Sequence, residues 1–444
     1  MKTKIILSSL ASILIICLAA EAYWWMSRPQ VITMDNGDQL TLLAVDYGKR
    51  HAPPAGAKKP AANAARGVRA NSFTTPDDTL VVWIRRDYKN NQYPNYQFYL
   101  YDKAGTACVG SSGMNPGYNG GQAQKGSSVM WVRFDAFPRR QGKCVVRIQE
   151  YVPNAGQMFA DEKFVVSNPA RRSFPKWTAE PLPVTKTDDD LSVTLTKLVS
   201  GSDSTSRRDQ DNPDDAINKG VQAVFNVSQN GKPVTNWQPV SIDTSDATGN
   251  HVNGWCNSQW QDNVLTTTYQ FGLWPDEPAW KVRAEFSQQS DFAANELWTV
   301  QNIPLQPGRQ QDFWNFGNNN NRRNTNSVFA ETDLNGFHLK IFPATQFTDL
   351  NYGNGQVGGG LHIQATPSLP AGMRLTLVKL TDDQGQDLQN YNSGTSGNGD
   401  STTYGYQMQN ITGATNLNLT IALHKSRFVE FTAKPAKQET SNKN

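Results

Sequence analysis

The sequence predicts an all-β fold, on three observations. Short runs of alternating apolar and polar residues recur along the chain, bounded by Gly, Asn, Asp and Pro. Beyond the N-terminal run, no long stretch carries a 3.6-residue period. One block of sequence also occurs twice. Leu273-Trp274-Pro275, Trp280-Lys281-Val282-Arg283-Ala284-Glu285-Phe286 and Trp298-Thr299-Val300-Gln301-Asn302 with Pro304 form one copy. Ala136-Phe137-Pro138, Cys144-Val145-Val146-Arg147-Ile148 and Phe164-Val165-Val166-Ser167-Asn168-Pro169 form the other, about 135 residues earlier. Repeats of short strands indicate tandem sandwiches, so the expectation is an N-terminal signal or anchor helix followed by three immunoglobulin-like β-sandwich modules.

Composition supports several small cores. The 444 residues leave room for two to four domains of about 100–200 residues each. Twelve Trp, 14 Tyr and 19 Phe supply bulky apolar surface, against a disordered reading. Lys plus Arg number 42 and Asp plus Glu 39, a net charge of +3. Such balance offers nothing to attract nucleic acid, and no nucleic-acid partner is expected.

Residues 1–28 read as the signal peptide or membrane anchor. Lys2 and Lys4 precede an apolar run from Ile5 to Ala20. Ala20-Glu21-Ala22 fits a signal-peptidase site, with cleavage after Ala22. The other reading is an uncleaved anchor. The run falls short of the about 20 residues a span needs, but Tyr23-Trp24-Trp25 extends it with an interfacial belt. Either way the bulk of the chain leaves the cytoplasm, as an inner-membrane-anchored protein facing the periplasm or as a secreted one.

Module 1 is expected over 31–170. It begins with a hairpin head, 31–48, turning at Asp35-Asn36-Gly37. An Ala/Pro-rich loop, 49–70, follows. Strands resume at Leu80–Ile84, Tyr96–Tyr101, Val129–Phe134 and Cys144–Ile148. Module 2 is expected over 172–308. Leu195, Leu198 and Gly201 match Leu42, Val45 and Gly48 in spacing, and the Trp280 and Trp298 strands close it. The Asn-rich stretch Gly317–Asn326 separates it from module 3, expected over 327–435. There Leu417, Leu419, Ile421 and Leu423 alternate, and Phe428-Val429-Glu430-Phe431 stands where the Trp298 and Phe164 strands stood. Residues 436–444 read as a disordered tail. Each module is expected to carry its own core.

Few motifs carry chemistry. The five histidines show no zinc-helix spacing, and no G-x-S-x-G elbow occurs. Gly353, Gly355 and Gly358 fit G-x-G-x-x-G, but Leu361–Ala365 after them reads as a strand where a dinucleotide site needs a helix. That favours a hairpin loop. Asp209, Asp211 and Asp214 crowd a loop with Asp203 and Asp215. They are weak calcium candidates, because Arg207 and Arg208 lie among them and a solvated loop explains them as well. No cofactor is expected. Trp255 and Trp260 flank the polar segment Asn257-Ser258-Gln259, as on a sugar-binding face; the competing reading puts both rings in the core. Cys108 and Cys144 could form one disulfide within module 1, or stay as buried thiols.

Val31-Ile32-Thr33-Met34-Asp35-Asn36-Gly37, with Leu40, Leu42, Val45, Tyr47-Gly48 and His51, resembles the opening of uncharacterised bacterial exported proteins. These carry a membrane anchor, a T-x-x-D-G … L-x-L-x-x-V-x-Y-G-x-x-H head and β-rich modules. Here Asn36 intervenes between Asp35 and Gly37. The resemblance covers about 20 residues and implies envelope location and β architecture, with no activity. The expected function is a non-catalytic scaffold or interaction protein of the cell envelope, meeting the membrane through its N-terminal segment and another envelope protein or a polysaccharide through its modules. A carbohydrate-binding envelope protein is the alternative. A hydrolase with a site at a module junction is the weaker one.

Overall fold

The computed structural model describes residues 30–54, 72–87, 96–103, 107–114, 127–152, 156–160, 162–170, 173–202, 220–254, 256–269, 273–314, 327–348 and 357–437. These residues form an all-β protein of several sheets, with only single-turn helices between strands. Among them no helix is long and apolar enough to cross a membrane. The apolar run before Arg28 lies outside them.

Module 1 comprises β1 (Val31–Thr33), β2 (Gln39–His51), β3 (Phe73–Asp87), β4 (Tyr96–Tyr101), β5 (Ala107–Met114), β6 (Ser127–Phe134), β7 (Lys143–Val152), β8 (Gly156–Phe159) and β9 (Phe164–Ser167). Their order is β1-β2-β3-β6-β5-β4-β7-β8, with β9 added to β7. The head turns as expected. Gly37 takes a φ of +82°, and Asn36 Oδ1 accepts from the Asp38 amide at 2.8 Å. Strand β2 runs on through His51, three residues into the expected loop. Inward positions such as Leu80, Val82, Val132, Phe134, Val146 and Ile148 are buried. At one end of this core Arg86 and Asp38 form a buried ion pair, its Nε–Oδ2 distance 2.7 Å, with Tyr96 OH also donating to Asp38.

Module 2 repeats this plan. It contains β10 (Val184–Asp188), β11 (Leu191–Ser202), β12 (Gly220–Gln229), β13 (Lys232–Pro233), β14 (Trp237–Asp246), β15 (His251–Gly254), β16 (Cys256–Gln261), β17 (Val264–Tyr269) and β18 (Trp280–Gln288). The order β10-β11-β12-β17-β16 copies β1-β2-β3-β6-β5. A register shift between Leu195 and Lys197 matches the one between Leu42 and Ala44. The echo is therefore structural down to the bulge.

Module 3 comprises β19 (Leu297–Gly308), β20 (Ala330–Leu334), β21 (Phe337–Ile341), β22 (Ala344–Phe347), β23 (Gly359–Thr366), β24 (Met373–Asp382), β25 (Asn390–Asn398), β26 (Ser401–Met408) and β27 (Asn416–Lys425). Two strands follow, β28 (Arg427–Ala433) and β29 (Ala436–Lys437). The neighbours β20-β21-β23 and β23-β26-β25 again follow the plan.

The closing strands depart from expectation. In module 1, β9 closes on β7, pairing Phe164 with Val146 and Val166 with Cys144. In module 2 the matching residues Val282 and Trp280 pair with Phe431 and Ala433 of β28. Strand β19 instead pairs with β27, Trp298 opposite Ile421 and Val300 opposite Leu419. Modules 2 and 3 have thus exchanged closing strands. Strand pairing runs across the expected bounds 172–308 and 327–435: 297–308 pairs with β27 and β22, and 427–437 with β18 and β11. The cause is the connection. Only Ser426 separates β27 from β28, and a hairpin needs about two loop residues, so the chain runs on into the neighbouring sheet. The side-chain pattern alone does not name a strand's partner, because it specifies which face is buried and nothing more.

The exchanged strand completes the core of module 2. Phe225 meets Phe286 at 5.5 Å and Phe431 at 6.1 Å. Strand β29 then pairs parallel with β11, so Ala436 and Lys437 are ordered sheet where a disordered tail was expected; residues 438–444 lie outside the described set.

Nor does each module carry a core of its own. One continuous apolar cluster runs from Ile32 to Ala433 through modules 1 and 2, and module 3 has a second. Modules 1 and 2 dock through polar groups as well. Asn250 exchanges two hydrogen bonds with the Phe137 backbone, at 3.1 and 3.0 Å. Arg139 donates to the carbonyls of Thr248 and Asp78. Arg140 donates to Glu277 at 2.8 Å and to the carbonyls of Phe174 and Pro175.

Cys108 and Cys144 are free thiols, so the disulfide is not formed. Strand β4 stands between them: Cys108 faces Leu100, whose other neighbour is Val146. Strands lie about 4.8 Å apart, which separates the two Cα atoms by well over the about 7 Å a disulfide spans.

Candidate functional site

The two exchanged strands cross between modules 2 and 3 through residues 289–296 and through Ser426. A cleft of about 650 Å³ opens beside these crossings. Its walls are strand ends and turns. Gln229 ends β12, Trp237 begins β14 and Gln288 ends β18. Asn295 and Glu296 lie in a single 3-10 turn before β19. Module 3 contributes Asn335 from the β20–β21 turn, Phe337 at the start of β21 and Met373 at the start of β24. Lys425 and Arg427 flank Ser426 in the second crossing.

Five of the polar wall residues are held from behind. Asn335 and Gly336 take φ values of +51° and +84°, a two-residue turn suited to Asn-Gly. The Asn335 amide nitrogen donates to the Leu423 carbonyl at 2.7 Å. Gln288 Nε2 donates to the carbonyls of Ser290 and Asp291. Glu296 Oε2 accepts from the Ala293 amide at 3.1 Å. Arg427 lies over the Trp237 ring and donates to Asp189 and Asp190, each at 3.2 Å. Gln229 receives the Trp237 indole N–H and donates to Asp190 at 2.7 Å. That bond, reinforced by Arg427, holds the Asp190 carboxyl below its usual range.

An ionic lock joins the modules next to the cleft residues Met373, Lys425 and Arg427 in sequence. Arg374 of β24 grips Glu285 of β18 with two donors, and Ser426 Oγ donates to Glu285 at 2.6 Å. Burial alone would raise the Glu285 carboxyl, but these donors outweigh it and hold it below its usual range. His424, also buried, pairs with Thr376 Oγ1 at 3.0 Å and packs on Phe292. Burial pushes its pKa down, which keeps the imidazole neutral.

A second arrangement mimics a catalytic triad. His51 Nδ1 lies 3.1 Å from Asp46 and its Nε2 lies 3.1 Å from Thr79 Oγ1. The exposures run the wrong way for nucleophilic chemistry. Asp46 reaches solvent with 35% of its side chain exposed, while Thr79 is 2% exposed. A substrate would have to meet the hydroxyl in the interior. The arrangement pins the long β2–β3 ladder instead.

Of the residues singled out from sequence, those that are described do not line the cleft. Trp255 lies outside the described residues. Trp260 sits on β16, half-buried and packed against the apolar cluster, which agrees with core filling. Asp209, Asp211 and Asp214 lie outside the described residues, and among the described residues no group of three or more His, Cys, Asp or Glu could hold a metal ion. Gly353 and Gly355 are outside as well. Gly359 and Gly360, just beyond, open a strand and serve packing. A Cβ on Gly360 would come within 2.3 Å of the Phe313 ring, and one on Gly359 within 2.6 Å of the Thr345 carbonyl.

Sequence reasoning missed Gln229, Gln288, Glu296 and Arg427 as a group. One signal was available: Lys425-Ser426-Arg427 is too short a break to fold one strand back on the other. No protein-family model and no curated protein matches the chain.

Proposed function

We propose that this chain is an exported scaffold or interaction protein of the cell envelope, built from three immunoglobulin-like sandwich modules and working by binding rather than catalysis. The observation that supports this most is the use made of charged and amide groups at the two junctions. Arg139, Arg140, Asn250 and Glu277 fix module 1 against module 2. Arg374, Glu285, Ser426 and the exchanged strands fix module 2 against module 3. A chain that spends its buried polar groups in this way holds outer faces and loop ends at set spacings, as a scaffold requires.

The N-terminal segment holds the protein at the membrane facing the periplasm, or releases it after cleavage at Ala22. The test is fractionation of cells making the full chain, with protease added to intact spheroplasts. Digestion from outside is the expected result. A chain found wholly in the cytosol, protected until lysis, rejects the reading.

A further inference from the structure

We propose that the cleft between modules 2 and 3 binds a short, uncharged oligosaccharide. This site is independent of where the chain resides and of the scaffold reading.

The spare hydrogen-bonding capacity of the walls comes first. Gln288 uses both amide hydrogens and Asn335 one of its two on backbone carbonyls, so the spare groups on these side chains are their oxygens and one Asn335 N–H. Glu296 has one oxygen bonded to the Ala293 amide, which leaves the other as a further acceptor. Lys425 adds an ammonium donor. A ligand for such walls must donate several hydrogen bonds and accept some, within a small volume. Hydroxyl groups do both.

An apolar wall lies beside these groups. Phe337 and Met373 are half-buried, so part of each side chain remains accessible. Trp237 lies behind them, buried under Arg427. Such surface suits the C–H face of a sugar ring. The volume, about 650 Å³, is in the range small-ligand clefts occupy.

Charge argues for a neutral ligand. The wall holds one carboxylate, Glu296, beside the Lys425 ammonium, and Arg427 is paired with Asp189 and Asp190. A polyanion would meet the Glu296 carboxylate in the wall and find Arg427 already paired. An extended peptide fits less well, because β proteins capture peptides along an unpaired strand edge, whereas these walls are strand ends and turns. Finally, the cleft is built before a ligand arrives. The chain crosses beside it twice, and the Arg374–Glu285 lock ties together the strands that supply Met373 and Gln288, so little ordering remains to oppose binding.

Isothermal titration of the full chain tests the proposal, using glucose and N-acetylglucosamine oligomers, an acidic polysaccharide and a random peptide library. One neutral oligomer is expected to bind. Glu296→Gln, which keeps the bond to the Ala293 amide, is expected to weaken it about tenfold, and Phe337→Ala by at least as much. Trp260→Phe is expected to leave it unchanged. Circular dichroism checks that each variant is folded; Glu296→Gln carries the test if Phe337→Ala is not. The proposal is overturned if no neutral oligomer binds at about 10 mM, or if the acidic polymer or peptides bind in preference. It also fails if Glu296→Gln binds as the unaltered chain does, or if Trp260→Phe abolishes binding.

Discussion

Modules 1 and 2 share a strand order, a bulge position and the residue pairs of their closing strands, yet they are closed from different places. Module 1 is closed by β9, which follows β7 after a short excursion. Module 2 is closed by β28, which arrives only after the whole of module 3. The same packing solution, Phe164 on Val146 or Phe431 on Val282, is reached through a local connection in one case and a distant one in the other. The stability of module 1 is therefore a property of one segment of chain, and that of module 2 belongs to two modules at once.

Ending the chain at Ser426 should have the largest effect. Without β28, the Trp280–Phe286 stretch loses a ladder partner and Phe225 loses a ring neighbour. Hydrogen exchange should show protection lost across β11, β12 and β18 while β3 and β6 stay protected. Full protection of β18 in the shortened chain would break the comparison. Next come Phe431→Ala and Phe164→Ala, both at fully buried positions. Each should cost about 3–5 kcal/mol in denaturant unfolding. Their reach should differ: Phe164→Ala loosens amides of module 1, whereas Phe431→Ala also frees those around the module 2–3 junction. Identical exchange patterns would show that the distant connection has no consequence.

Acid separates the two junctions more gently. The Glu285 carboxyl is held below its usual range, so its contribution is complete above the ordinary glutamate value of about 4.3 and is lost as pH falls through the depressed one. Burial raises the Glu277 carboxyl, and Arg140 offsets this only in part. The folded state holds that proton more tightly than the unfolded chain, so its contribution is complete below the ordinary value and is lost as pH rises through the raised one. Protection of the Phe428 amide should therefore weaken as pH falls below about 4, before that of the Phe137 amide, and the reverse order would contradict the assignment. The smallest effect concerns thiols. Burial pushes Cys108, Cys144 and Cys256 up to about 12, so all three should resist alkylation until denaturant is added. A reductant should leave the melting temperature of modules 1 and 2 unchanged.

The strands were legible because period-2 alternation records burial directly, as Val282 and Ala284 or Leu417 and Ile421 do. The hairpin head was legible because Asn36 and Gly37 fix a turn locally. Partners were not. Trp298 and Phe428 sit in sequence where each would close the module before it, and nothing in their side chains distinguishes Val282 from Leu419 as a neighbour. The cleft was hidden for the same reason, since Gln229, Asn335 and Arg427 become neighbours only once the strands are exchanged. Tryptophan is open to two readings in sequence. Trp260 beside polar residues reads as a binding ring, but large apolar rings are also what a sandwich interior needs.

The exchange also sets an order of assembly. A polypeptide is made from its N-terminus, so module 1 can close as soon as β9 emerges. Module 2 cannot. Its β14–β18 sheet keeps an open edge through the synthesis of every residue from Gln289 to Ser426. Only a chain that has delivered all of module 3 can seal it. A broken or stalled product leaves that edge bare for proteases, so the fold itself distinguishes finished molecules from unfinished ones.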